Sequence, residues 1–140
     1  MKLVYFILLA FTFFSCNIIG GESSYQKNPQ GLPGTWEAVE HTYSYGGPPI
    51  TEEIENGHRH SISFKNDGSF SATEAFTCNS GSYTLTADEL TFTYACEDLG
   101  ENQINPFTYT VIFEKDYMIL NPKTSVCIEG CSVKYKKLED

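Results

Sequence analysis

Two histidines and a glutamate are spaced so that they could bind a ligand's polar group or a metal. His58 and His60 lie two residues apart, which places both on one face of a β-strand. A hairpin follows, and counting across its turn places Glu74 opposite His60. The pair could bind the polar group of a ligand, coordinate a metal together with His41, or form a hydrogen bond in contact with water. Nothing fixes His41 near the other two, so the sequence favours the hydrogen-bonded pair and no metal site.

Catalytic motifs are absent from the sequence. It has no G-x-S-x-G elbow, no H-E-x-x-H pair, no P-loop and no dinucleotide-binding fingerprint. We therefore expect a protein that is not an enzyme and uses no cofactor. The 18 acidic residues outnumber the 9 basic ones and give a net charge of −9. Because nucleic-acid binding requires clustered Lys and Arg, the composition argues against a nucleic-acid partner.

Short segments rich in Thr, Tyr, Phe, Val and Ile alternate with turn signals from residue 34 onward, with no helical apolar period. They predict eight strands, at about 34–42, 59–65, 69–77, 82–86, 90–96, 107–114, 117–121 and 132–138. Most connections have hairpin length, so strands adjacent in sequence should be adjacent in space. The prediction is an all-β domain over residues 34–140, an eight-stranded up-and-down antiparallel barrel.

The hairpin around residues 66–68 sets the inward face of two strands. Phe64 and Phe70 should both face inward, which makes Lys65 oppose Ser69 and leaves a three-residue loop that ends in glycine. The same register places Ile62 opposite Ala72, His60 opposite Glu74 and His58 opposite Phe76. We therefore expect His58, His60 and Glu74 to share the inner face.

Four motifs resemble the bacterial lipocalin-like lipoproteins: Gly34-Thr35-Trp36 at the first strand, then KNDGSF, GSYTLTADELTF and KYKKL. The resemblance covers roughly residues 32–138 and implies a lipocalin-like barrel. It also implies that Trp36 closes one barrel end beneath a basic side chain of the last strand. The candidates for that side chain are Lys134, Lys136 and Lys137.

Aromatic side chains dominate the predicted interior. Trp36 and Tyr83 could line a pocket for a small apolar ligand, together with His58, His60 and Glu74. An eight-stranded barrel, however, has room only for its own side chains or for one small ligand. Because so many rings compete for this space, the sequence favours a filled core. In such a core Trp36 closes the barrel end as a structural plug, and lining a ligand pocket is its less favoured role.

The N-terminus has the features of a targeting segment. An apolar run over residues 3–14 follows a single lysine and has the length of a secretory signal segment. Ser15-Cys16 ends the run and resembles the lipobox of bacterial lipoproteins, although Phe13 departs from that pattern. The resemblance implies a signal peptide at 1–15, palmitate on Cys16, export, and a membrane anchor in the cell envelope. An uncleaved apolar anchor and plain secretion are the alternatives.

Residues 16–33 separate this segment from the barrel. Beyond Cys16 they are rich in Gly, Ser, Asn, Gln and Pro and have no apolar period, which predicts a flexible tether.

Cysteine usage fits an oxidising compartment. Apart from Cys16, the chain has Cys78, Cys96, Cys127 and Cys131, an even number that indicates two disulfide bonds. Three pairings are possible. Cys78 and Cys96 follow strands that end at the same side of the barrel, and Cys127 and Cys131 flank one turn, so we expect these two pairs. A zinc site is the competing interpretation, but the paired C-x₂-C spacing of zinc knuckles is missing.

Two functions remain open at the level of sequence. One is a membrane-tethered, monomeric barrel that binds a small hydrophobic ligand. The other is an envelope interaction module that acts through its loops. The connection from residue 43 to residue 57 is interpreted as a solvated acidic loop, in which Tyr43 and Tyr45 could contact a protein partner.

Overall fold

The computed structural model describes residues 31–97, 99, 104–123 and 131–139. In this part of the chain nine strands form one antiparallel sheet. They are Gly34–Tyr43 (β1), Ile50–Glu53 (β2), Ser61–Phe64 (β3), Ser69–Thr73 (β4), Ser80–Thr86 (β5), Glu89–Tyr94 (β6), Phe107–Glu114 (β7), Tyr117–Pro122 (β8) and Ser132–Lys137 (β9). Their order is β2-β1-β3-β4-β5-β6-β7-β8-β9, and β1 also pairs with β9. That pairing closes the sheet, which confirms the predicted all-β barrel.

β2 and β3 share one position in the wall, so the nine strands form an eight-stranded barrel. β3 pairs with the first half of β1, and β2 pairs with its second half on the same edge. Val39 accepts a hydrogen bond from the Ile54 amide, and Ala38 donates one to the His60 carbonyl. Residues 55–59 therefore form a loop between β2 and β3, which lie one after the other along the same edge of β1.

β2 was not predicted from the sequence, because the acidic connection after the first strand was interpreted as a loop. The turn Gly46-Gly47-Pro48-Pro49 instead joins β1 and β2 as a hairpin. Hydroxyl groups of Thr42 and Thr51 are hydrogen-bonded across it at 3.0 Å. The strand predicted over 69–77 is also shorter, since it ends at Thr73.

The two ends of the barrel differ. Short connections at 65–68, 87–88 and 115–116 lie at the end where β1 begins, which we call the closed end. The β1–β2 turn, the connection at 74–79 and the connection between β6 and β7 lie at the other end, which we call the open end. The predicted register of the first hairpin is confirmed, since Phe64 pairs with Phe70 and Ile62 with Ala72.

Inward-facing positions of the strands supply most of the core, as the two-residue period of a half-buried strand requires. The buried apolar residues are Leu32, Trp36, Ala38, Ile62, Phe64, Phe70, Cys78, Leu90, Phe92, Tyr94, Val111, Met118, Leu120 and Tyr135. Gly81 of β5 lies against this core at a close approach of two strands. A Cβ at this position would collide with the Thr93 carbonyl and lie 2.9 Å from the Phe70 ring.

The predicted signal peptide, 1–15, lies outside the described residues, as does the predicted tether, 16–33, up to residue 30. Within the described part of the chain, no helix is long and apolar enough to cross a membrane.

Candidate functional site

Trp36 closes the barrel at the closed end. Its side chain is buried, and its Nε1 donates a hydrogen bond of 2.8 Å to the carbonyl of Leu32, which is also buried. Lys137 of β9 lies over the indole ring, with its Nζ 5.3 Å from the ring centroid, and donates a hydrogen bond of 2.7 Å to the Gly31 carbonyl. Of the three candidate lysines of the last strand, Lys137 is therefore the one that covers the tryptophan. The two hydrogen bonds also hold residues 31–32 at this barrel end.

The centre of the barrel contains a network of aromatic rings. Phe92 of β6 is completely buried, and its ring centroid lies 4.8–6.3 Å from those of five others. These neighbours are Phe64, Phe70, Phe76, Tyr94 and Tyr109. Most of the contacts are tilted or edge-on, the arrangement that aromatic quadrupoles prefer. The predicted filling of the interior by rings is therefore seen among the described residues.

Four polar groups lie within this aromatic interior. His60 Nε2 and the Tyr135 hydroxyl are hydrogen-bonded at 3.0 Å, and their rings meet edge to face. The Tyr109 hydroxyl is hydrogen-bonded to Tyr94. We call these four residues the inner polar cluster. Burial raises the pKa of Tyr109 and of Tyr135 far above the ordinary tyrosine value, and it lowers the pKa of His60. The side chains of His60, Tyr109 and Tyr135 are consequently held in their neutral forms at neutral pH.

The structure does not bring Glu74 and His58 to this cluster. Glu74 directly follows β4 with a φ of 53°, so the chain leaves the ladder before Glu74 can pair with His60, and its side chain is exposed. His58 lies in the loop at 55–59, where its backbone amide donates a hydrogen bond to the Glu55 carbonyl. Its side chain is exposed too. The predicted inward placement is correct for His60 and wrong for these two residues. Counting across the hairpin fails because the ladder stops one residue short.

Tyr83 packs at the closed-end hairpin rather than in the inner polar cluster. Its ring meets Phe64 edge to face, with centroids 5.0 Å apart. Its hydroxyl donates a hydrogen bond of 2.7 Å to the Lys65 carbonyl, which ties β5 to the turn at 65–68. Partial burial raises the pKa of Tyr83.

One disulfide bond crosses the open end. Cys78 and Cys96 are bonded, as predicted, and they join the connection at 74–79 to the connection that follows β6. Cys131 is also disulfide-bonded. Its predicted partner Cys127 and the predicted lipidation site Cys16 lie outside the described residues, so their roles remain predictions.

A ribbon formed by β1 and β2 extends the wall at the open end. Three rings follow one another from β1 into the turn, with centroid distances of 5.3 Å from His41 to Tyr43 and 5.2 Å from Tyr43 to Tyr45. Tyr45, at the turn, is 87 % exposed. His41 Nε2 lies 3.4 Å from a Glu52 carboxylate oxygen, and a hydrogen bond to Glu52 raises the pKa of Tyr43. We call this segment, residues 40–53, the aromatic ribbon.

The strand pairing of the aromatic ribbon was not predicted from the sequence. The sequence allows Tyr43 and Tyr45 as contacts for a partner within a loop. The signal for a rigid ribbon was a Gly-Gly-Pro-Pro turn flanked by strand-forming residues on both sides, Thr42 before it and Ile50 and Thr51 after it. Its acidic residues concealed this pattern.

No group of three or more His, Cys, Asp or Glu residues within the described ranges is arranged to hold a metal ion. Compared with known proteins, the chain matches no family model, no curated protein and no solved structure. The arrangement of the described strands is an eight-stranded antiparallel barrel compatible with a lipocalin-like fold.

Proposed function

We propose that this protein is a non-enzymatic interaction module of the bacterial cell envelope. It binds a protein partner through the open end of its barrel, at the aromatic ribbon. The observation that carries this proposal is the contrast between the interior and the ribbon. The inward rings contact one another, whereas the most exposed of the large apolar side chains in the described ranges, Tyr45, is at the ribbon's turn.

The composition of the ribbon supports a macromolecular partner. Tyr is enriched at protein interfaces, since it supplies a large amphipathic surface with little side-chain entropy to lose. Tyr45 and the half-exposed Ile50 flank the turn between β1 and β2. The strand pairing behind them keeps the ribbon ordered, so binding requires little rearrangement.

The N-terminal lipid anchor belongs to the same proposal. Palmitate on Cys16 would tie the protein to a membrane, and the tether would hold the barrel clear of the surface. Its test is metabolic labelling with palmitate. We expect label in the wild type and none in Cys16→Ala, and equal labelling of the two proteins would contradict lipidation.

Site-specific photo-crosslinking in cells of the native host tests the partner. A photoreactive phenylalanine analogue replaces Tyr45 in one variant and Lys115 in the other. Lys115 is the matched control, because its side chain is 89 % exposed but lies at the closed end. We expect a discrete heavier adduct from position 45 and none from position 115. No adduct at position 45, or equal adducts at both, would refute the proposed interface.

Binding of a small ligand is the second candidate, and the inner polar cluster favours it. Hydroxyl groups and an imidazole inside an aromatic interior are the kind of polar groups that orient a ligand in a pocket. A small molecule that copurifies with the native protein would favour this candidate over the interaction module.

A further inference from the structure

β2 has a free backbone edge. Among the described residues it pairs only with β1, and all four of its residues are exposed. The bond from the Ile54 amide to the Val39 carbonyl makes these two residues a hydrogen-bonded pair, and such pairs alternate along an antiparallel ladder. The backbone groups of Ile50 and Glu52 therefore point to β1. The N–H and C=O groups of Thr51 and Glu53 point away from it, toward the free edge.

The same strand carries two acidic residues, Glu52 and Glu53. Glu53 lies directly opposite Glu40, and like charges in that position destabilise a strand pair. Neither carboxylate has a cation within ion-pair distance in the described part of the chain.

The nearby cations are engaged elsewhere or unpaired. Arg59, which lines the same groove as Glu40 and Glu53, is bound to Glu37 and to the Ile54 carbonyl. Lys134 pairs with Glu40 along the backbone, but its Nζ lies over the Tyr117 ring. Lys136 lines the groove and is exposed. Glu53 thus has basic side chains across the groove but no ion-pair partner among the described residues, so its carboxylate can pair with a cation from another molecule.

Resting on the proposed function, we infer that the free edge of β2 binds an extended, basic segment of the partner protein as an added strand. The outward N–H and C=O groups of Thr51 and Glu53 would bond to its backbone, as in other β-strand additions. Side chains of an added strand alternate between the two faces of the ribbon. On the face of Glu53 and Glu40 the partner presents Lys or Arg, and on the face of Ile50 it presents an apolar residue.

The charge also explains which partner the edge excludes. Two copies of this edge side by side would bring Glu52 and Glu53 near their counterparts, and such repulsion is a common protection against edge-to-edge association. The edge is thus open to a basic strand and closed to a second copy of this chain.

The probe is a short peptide that alternates Lys and Val, with both ends blocked, and a peptide that alternates Glu and Val is its control. Both are titrated into the isotope-labelled protein and followed by the amide signals in NMR spectra. We expect the Lys peptide to shift the amides of Thr51 and Glu53 and to protect them from hydrogen exchange. Binding should weaken with added salt, because the Debye length falls from about 10 Å at 0.1 M to about 3 Å at 1 M.

Charge-reversal variants sharpen the test. Glu53→Lys should weaken binding of the Lys peptide about tenfold, since it places like charges side by side. Glu114→Lys makes the same charge change at an exposed position next to the closed end and should leave binding unchanged. Shifts scattered over the barrel, equal binding of the Glu peptide, equal weakening by both variants, or a dimer formed through β2 would each overturn the inference.

The outcome separates this inference from the proposed function. If position 45 crosslinks to a partner but the Lys peptide does not bind, the strand addition is wrong and the interface at the aromatic ribbon stands. If position 45 gives no adduct, the proposed function itself is wrong.

Discussion

Replacing Trp36 by phenylalanine tests how the closed end is built. Phenylalanine keeps a ring in the plug but removes the Nε1–H group, so the buried Leu32 carbonyl loses its 2.8 Å hydrogen bond. A buried acceptor left in this way costs about 1–3 kcal/mol. The smaller ring also weakens the contact with the Lys137 ammonium, for which indole is the best aromatic partner, and it leaves unfilled space. Together we expect a loss of about 2–4 kcal/mol in the free energy of unfolding.

The measurement is urea unfolding followed by far-UV circular dichroism. Tryptophan fluorescence cannot be used, because the variant lacks the only tryptophan of the chain. In thermal unfolding the same loss corresponds to a Tm lower by roughly 10–20 °C for a domain of about 100 residues. Tyr45→Ala is the control, since its side chain is 87 % exposed and should change stability by less than about 0.5 kcal/mol. Equal stabilities of the two variants would refute the role of Trp36 as a plug.

Four further predictions concern the wall, the interior and the open end. Gly81→Ala should destabilise the protein by about 1–3 kcal/mol, measured by urea unfolding, because its Cβ meets the backbone of the neighbouring strand. Wild-type stability would show that β5 can shift. His60 should titrate below about 6.5, so stability falls as pH drops through that value, when the unfolded chain takes up a proton that the folded one excludes. Glu74→Gln should leave the NMR titration of His60 unchanged, and a shift would mean that the two side chains interact. Replacing both Cys78 and Cys96 by alanine should cost about 3 kcal/mol, from the entropy of a loop with a sequence separation of 18. A loss below about 1 kcal/mol would show that packing alone holds the open end.

The barrel could be predicted because its signals are local. Alternation within strands and glycine-containing turns fixed the first hairpin, so that the pairing of Phe64 with Phe70 follows from counting. The Cys78–Cys96 bond followed from the same strand ends. The plug followed from the G-x-W resemblance, although the choice of Lys137 among three lysines required the structure.

The polar contacts inside the barrel could not be predicted from the sequence, because they depend on the residue at which the pairing of β3 with β4 ends. Glu74 takes a left-handed backbone conformation that ends β4, and no strand pattern indicates this for a glutamate. The actual partner of His60 is Tyr135, which is 75 residues away in sequence and comes near only when β9 closes against β1. Contacts across the closure of a barrel have no local signal.

The central claim is that packed rings fill this barrel and that its binding surface lies outside, on the aromatic ribbon. Native mass spectrometry of the protein purified from its own host under gentle conditions tests it most directly. We expect the mass of the mature chain with its covalent lipid and no stoichiometric small molecule that dissociates on activation in the gas phase. A bound small molecule that is lost from Tyr135→Phe but retained in Tyr45→Ala would place a ligand inside the barrel and contradict a filled interior.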